Sequence, residues 1–360
     1  MGTIPRGSGR RSRTGRRRDD SPHQREVPEG LRQPDPGPAE SRNTQPGCGS
    51  GRPLVRGQQI VARLQTTELT ILERLGRGDL LVADGATGTY LQQHGLEPGG
   101  CPEAFNLTQP EIIRQMAADY FAAGSDFVLT DTFGANRYML KKYGHGDKVR
   151  EINRTAARLA RSVAPPGKYV IGSMGPTGEF LEPLGVVPER EMYEAFVEQA
   201  TALEEGGADG VDIETMTAIE ESVLAVRAAK ENTRLAVFAT MVFDKGPRGF
   251  FTMMGVTPER AARELKAAGA DVVGTNCGNG IEVMIEIAKR IRAATDGPVM
   301  VKSNAGIPAI IKGKIVYPEG PEWMAERFKT LADLGVNVIG GCCGTGPDHV
   351  AALCRAVRPS

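Results

Sequence analysis

From residue 80 onward, short apolar runs alternate with longer stretches of mixed polarity. Eight runs read as strands: Leu80–Asp84, Phe127–Asp131, Tyr169–Ser173, Val211–Glu214, Leu235–Thr240, Val272–Asn276, Val299–Ser303 and Val336–Gly340. Most are unbroken Val/Ile/Leu segments, the pattern of strands covered on both faces in a parallel sheet. The stretches between them carry helical spacing. Ile112, Met116 and Tyr120 lie four apart, and so do Val283, Ile287 and Ile291. Thr108-Gln109-Pro110-Glu111 predicts a capping box, and Thr257-Pro258 an N-cap followed by Pro at the first helical position. A Gly stands two residues before an Asp or Asn at Gly124, Gly207, Gly269 and Gly335. Each is expected to end a helix just ahead of strands two, four, six and eight.

Eight βα units of about 35 residues each account for residues 61–360. The predicted fold class is α/β, a (β/α)8 TIM barrel, with an irregular excursion from Gly85 to Thr108. A doubly wound sheet is the structural alternative, but no G-x-G-x-x-G follows strand one. Residues 1–60 differ in kind. They hold 12 Arg, no Lys and 6 acidic residues, a net of +6. The whole chain balances 44 Lys+Arg against 44 Asp+Glu, so residues 61–360 carry −6. Rich in Arg, Gly, Pro, Ser and Gln, with little apolar clustering, the first sixty residues are expected to form a disordered tail.

A neutral chain offers no whole-molecule basic field for nucleic acid. No apolar run reaches the roughly 18–20 residues that span a bilayer. Neither a nucleic-acid nor a membrane partner is therefore expected. Six Cys in 360 residues is far from a disulfide framework, and the expected location is cytoplasmic.

Active sites of these barrels form at the C-terminal ends of the strands. Three cysteines fall there: Cys277 after strand six, and Cys342 and Cys343 after strand eight. Three converging thiolates suit a soft divalent metal, above all Zn2+, and leave one position open, as catalytic sites do. Gly340-Gly341 and Gly344 supply the backbone freedom for adjacent cysteines to reach one ion. A strained Cys342–Cys343 disulfide is the competing reading. Cys354 is expected to be a small buried hydrophobe. Cys101 reads as structural or incidental, and His145 and His349 as surface residues.

With these segments in view, the chain from about Leu80 to Val357 resembles the homocysteine S-methyltransferase family. The resemblance rests on Asp84–Thr89 (D-G-A-T-G-T), Phe105–Thr108, Thr130–Asn136, Ile213-Glu214-Thr215, Asn276-Cys277-Gly278 and Gly340–Thr345 (G-G-C-C-G-T). Ser303–Gly306, Tyr317 and Pro321-Glu322 look most like the homocysteine-binding domain of cobalamin-dependent methionine synthase. The resemblance implies zinc held by Cys277, Cys342 and Cys343, with the substrate thiol as fourth ligand and S-methylation as the activity.

By position, Glu214 is then expected to take the homocysteine ammonium, with Asp84 as a second acidic partner or an orienting group. Gly85, Thr87 and Thr89 are expected to meet the carboxylate. Asn304 would fill the open metal position, or support the ligands, when substrate is absent. No D-x-H-x-x-G corrinoid signature occurs in the sequence. The expected methyl donor is accordingly methylcobalamin on a separate corrinoid protein docking at the barrel mouth. That mouth would be lined by residues 90–100 and by the Gly- and Met-containing loop Phe243–Met254. A small donor, S-methylmethionine or betaine, is the second choice. A different thiol acceptor and a non-catalytic zinc- or homocysteine-binding barrel remain alternatives.

Overall fold

The computed structural model describes residues 69–311 and 314–358. The tail expected over residues 1–60 lies outside the described residues. Eight strands make one sheet: β1 Leu81–Val82, β2 Phe127–Leu129, β3 Tyr169–Met174, β4 Gly210–Met216, β5 Ala236–Met241, β6 Val272–Asn276, β7 Val299–Ser303 and β8 Val338–Gly341. All ladders are parallel, in the order β1-β8-β7-β6-β5-β4-β3-β2, with helices between the strands. The predicted (β/α)8 barrel is thus the observed one, and β1 and β2 face each other across its seam.

Side-chain alternation divides each strand between two packing layers. Leu81, Phe127, Leu129, Ile171, Phe238, Val272, Met300 and Val338 pack with one another inside the barrel. Ile71 and Leu75, on the helix Ile71–Gly76, join them and close the end at which the strands start. Val82, Val128, Val170, Val237, Val273, Val301 and Ile339 belong to the other layer, with helix residues such as Ile113, Phe196, Ile287 and Phe328.

The glycine repeat has a fuller cause than helix termination. Gly124, Gly207, Gly269 and Gly335 all take positive φ, as expected. The residue two places on then clamps the preceding odd-numbered strand twice. Asp126, Asp209, Asp271 and Asn337 donate their backbone N–H to the carbonyls of Val82, Val170, Val237 and Val299, at 2.7–2.9 Å. Their side-chain oxygens accept the N–H of those same four residues, at 2.8–3.0 Å. At the seam, Asp126 makes this double bond where β1 and β2 have no ladder of their own.

Some local expectations are corrected. The capping box at Thr108 does not form. Thr108 ends the short helix Phe105–Thr108 and donates its hydroxyl to Ala104 O (3.0 Å), while Gln109 precedes the helix Pro110–Ala123. A residue before Pro is pushed out of the helical region, so the chain bends at Gln109 and Thr108 cannot reach the new helix. Thr257 does cap its helix, accepting from Arg260 N, with Pro258 next. Two antiparallel hairpins were not anticipated: Asp244–Gly246 with Gly249–Phe251 after β5, and Ala309–Ile311 with Lys314–Val316 after β7. The former gives the loop 243–254 an ordered frame in which Phe243 is buried and Met253 exposed. His349 is half-buried rather than superficial. Its Nδ1 accepts from Gly346 N (3.3 Å) and its Nε2 faces Glu319 O (3.0 Å). Cys354 is buried, as expected.

Candidate active site

A cavity of about 370 Å3 opens at the C-terminal end of the barrel. Cys277, Cys342, Cys343, Glu214, Gly85, Thr87 and Thr89 line it. Asp84 and Asn304 stand behind that wall, at 1% and 4% exposure.

The three sulfurs lie within 4.8 Å of one another, and Cys277 Sγ is 3.7 Å from Cys343 Sγ. Tetrahedral ligands with Zn–S bonds of about 2.3 Å stand about 3.8 Å apart, so the spacing fits one ion. Backbone contacts hold the ligands there. Cys277 N donates to Lys302 O (3.1 Å), Cys342 N to Ser303 O (2.7 Å), and Ala305 N to Cys343 O (2.9 Å). Cys277 itself sits at φ 61°, a left-handed conformation uncommon outside glycine. Gly344 has φ 83°, and a Cβ there would stand 2.1 Å from the Tyr317 ring. Only glycine permits this turn with the ring packed over it.

The donor set also fits a cation on charge grounds. Hydrogen bonds from Cys342 and Cys343 hold the Cys277 thiol far below its ordinary range. The same sharing pushes Cys342 and Cys343 upward. Three thiolates this close repel one another, and a cation among them would relieve that repulsion. Asn304 is buried, and its Oδ1 has no partner among the described residues. A buried carbonyl oxygen left without a partner calls for an explanation, and a bound ion is one.

Glu214 lies on β4 and is 7% exposed. Its Oε1 accepts from Ser173 Oγ (2.5 Å), and its Oε2 from Lys302 Nζ (2.7 Å) and Asn276 Nδ2 (3.1 Å). Asn276 in turn accepts from Thr215 N and Thr240 Oγ1, both at 2.8 Å, so its amide cannot swing away. Asp84 Oδ2 accepts from Leu129 N (2.7 Å) and helps close the β1–β2 seam; burial raises its pKa to about 7, partly offset by Lys302. Thr87 opens the helix Thr87–Gln93, whose first-turn N–H groups have no partner within the helix. Thr89 Oγ1 accepts from Gly344 N (3.2 Å), tying this helix to the cysteine turn.

Three cavity residues escaped the sequence reading. Lys302, 1% exposed, bridges Asp212 Oδ2 (2.6 Å) and Glu214. Glu103 accepts from Gly134 N (2.6 Å), and Asp131 lies buried near it, its carboxyl pushed well up by burial and then by the Glu103 charge. The signal for Lys302 was present: a lysine inside the apolar run Val299–Ser303 has no solvent to reach. That for Glu103 was not, because nothing local pairs the excursion with β2.

The sequence profile described as homocysteine S-methyltransferase matches residues 81–357. The chain is 34% identical over 307 residues to a methionine synthase of Mycobacterium leprae, covering 80% of this chain but 25% of that one. It thus spans about a quarter of that relative. It is 30% identical over 313 residues to bovine betaine–homocysteine S-methyltransferase 1, covering 80% of this chain and 75% of that one. In fold it is similar to the metallated homocysteine methyltransferase MmuM of Escherichia coli (TM-score 0.66, 22% identity, 78% of this chain and 97% of that one). The profile takes in every strand of the barrel and all three clustered cysteines, so the chain belongs to the homocysteine S-methyltransferase family.

Proposed function

We propose that this barrel is a zinc-dependent S-methyltransferase that converts homocysteine to methionine in the cytoplasm, with the methyl group delivered by a separate methyl-corrinoid protein. The observation that carries the reading is the convergence of three cysteine sulfurs on a cavity that the Glu214 carboxylate also lines. Cys277, Cys342 and Cys343 would hold the metal, with Asn304 beside them. Zinc at that position would lower the pKa of an incoming thiol and so supply a thiolate nucleophile near neutral pH.

The chain's own groups then do the orienting. Glu214 receives the substrate ammonium. The first-turn N–H groups at Thr87–Thr89, with Gly85 and the threonine hydroxyls, receive the carboxylate. Asp84 supports the wall between them. The thiol is left facing the cavity mouth, where the S–C bond forms as the bond from methyl to its leaving group breaks. Around the mouth, the loops after β2, β3, β5 and β7 expose Phe133, Leu184, Val186, Met253 and Ile310. Apolar residues so placed suit a docking protein better than open water. Among the described residues no helix is long and apolar enough to cross a membrane.

A small methyl donor, betaine or S-methylmethionine, is the second reading. The bovine relative favours it, since its match extends over three-quarters of that relative's length. The deciding experiment is methionine formation by reduced, zinc-loaded protein given homocysteine and, separately, methylcobalamin, S-methylmethionine or betaine. Turnover with methylcobalamin alone supports the corrinoid partner. Turnover with a small donor replaces it. Zinc and homocysteine binding without turnover, even with a methylated corrinoid protein supplied, would sink the enzymatic reading in favour of a binding barrel. Turnover of other thiols in preference to homocysteine would reassign the acceptor.

A further inference from the structure

Lys302 rises from β7 and crosses the barrel interior to β4, three strands away in the sheet. There it meets Asp212 at 2.6 Å and Glu214 at 2.7 Å, with its side chain 1% exposed. Asp212 and Glu214 are two residues apart on one strand and therefore share a face. Taking an ammonium and two carboxylates out of water is costly, and hydrophobic residues of similar volume commonly serve stability as well or better. The arrangement calls for a role other than stability.

Charge and hydrogen-bond counting identify one. Lys302 and Asp212 cancel, so the trio keeps a net charge of −1, located on the cavity-lining Glu214. A carboxylate has about four lone-pair sites. Ser173, Asn276 and Lys302 fill three of those on Glu214, leaving one, on Oε1.

We propose that Lys302, balanced by Asp212, is a positioning residue that holds the Glu214 carboxylate with one vacant acceptor site facing the cavity and so makes the site select thiols bearing a cationic amine. The proposal rests on the reading in which Glu214 receives the acceptor's ammonium.

The test compares homocysteine with 4-mercaptobutyrate, the same thiol acid lacking the amine. Equilibrium binding of both to the zinc-loaded full chain would be measured for wild type, Lys302→Met and Asp212→Val/Lys302→Met, together with Tm and zinc content. The single variant is expected to lose Tm, because it leaves uncompensated acids in the barrel. The double variant should regain Tm and keep its zinc, yet bind homocysteine about 10- to 100-fold more weakly than wild type while 4-mercaptobutyrate changes little. Recovery of homocysteine affinity along with Tm would overturn the proposal, making Lys302 purely structural. Equal weakening of both thiols would also overturn it, placing Lys302 on the shared carboxylate instead. A wild type that binds the two thiols alike would overturn the amine assignment of Glu214 itself, whatever the variants do.

Discussion

Asp126 carries the barrel seam, and replacing it tests the clamp repeat quantitatively. Its Oδ2 accepts the buried Val82 N–H at 2.9 Å, and its carboxylate pairs with Arg74, Lys168 and Arg358 at 3.2, 3.1 and 2.6 Å. Asp126→Ala orphans that N–H, which costs about 1–3 kcal/mol. The three cations are 22–39% exposed, so each lost pair adds well under about 1 kcal/mol after solvent screening. The expected total is about 2–4 kcal/mol, or about 3–7 °C in Tm for a barrel of this size. Asp126→Asn separates the two contributions. Asn337 makes the same clamp on Val299 with a neutral amide, so Asn is competent for the hydrogen bond. That variant should lose about 1 kcal/mol, and its deficit should shrink in high salt.

The pH dependence follows from the same residue. Burial raises the Asp126 carboxyl, but the Val82 N–H, Lys168 and Arg358 outweigh it and leave the pKa lowered. A group depressed in the folded state contributes its stability above the unfolded pKa of about 3.9 and loses it as pH falls through the folded value. The gap between wild type and Asp126→Asn should therefore begin to narrow below about pH 4 and close only below the lowered folded value. Thermal and urea melts at pH 7 and pH 3.5 give the comparison. A loss below about 1 kcal/mol for Asp126→Ala at pH 7 would refute the claim that this carboxylate replaces the missing β1–β2 ladder.

Three further outcomes are expected. Alanine at Cys277, Cys342 or Cys343 should each remove stoichiometric zinc, read by metal analysis, while Cys354→Ala should not; full retention in all three would exclude the site. Gly344→Ala should reduce zinc affinity without touching a ligand, because its Cβ would stand 2.1 Å from Tyr317 at φ 83°, and a competitive chelator titration measures the loss. Asp84→Asn should raise Tm more at pH 8 than at pH 5. Its folded pKa is raised to about 7, so the wild-type carboxyl costs stability progressively as pH climbs from about 4 to 7, and an amide oxygen still accepts from Leu129 N. A pH-independent difference would show that Asp84 is not the buried acid assumed.

The sequence alone determined the barrel, because a strand covered on both faces must be written as a local apolar run. Helix ends are likewise written locally, as at Thr257-Pro258 and Gly269. It also placed Cys277, Cys342, Cys343 and Glu214 at strand ends, since the rim of such a barrel is fixed by topology once the strands are counted. It misread Thr108, where the backbone restriction imposed by Pro110 overrode a plausible cap. What only the tertiary structure decided are pairings across long separations: Lys302 with Asp212 and Glu214, 90 and 88 residues apart, Glu103 with Gly134, and each clamp acid with the neighbouring strand. No local pattern encodes these, because the partners of a buried charge are set by which strands the closed sheet brings face to face.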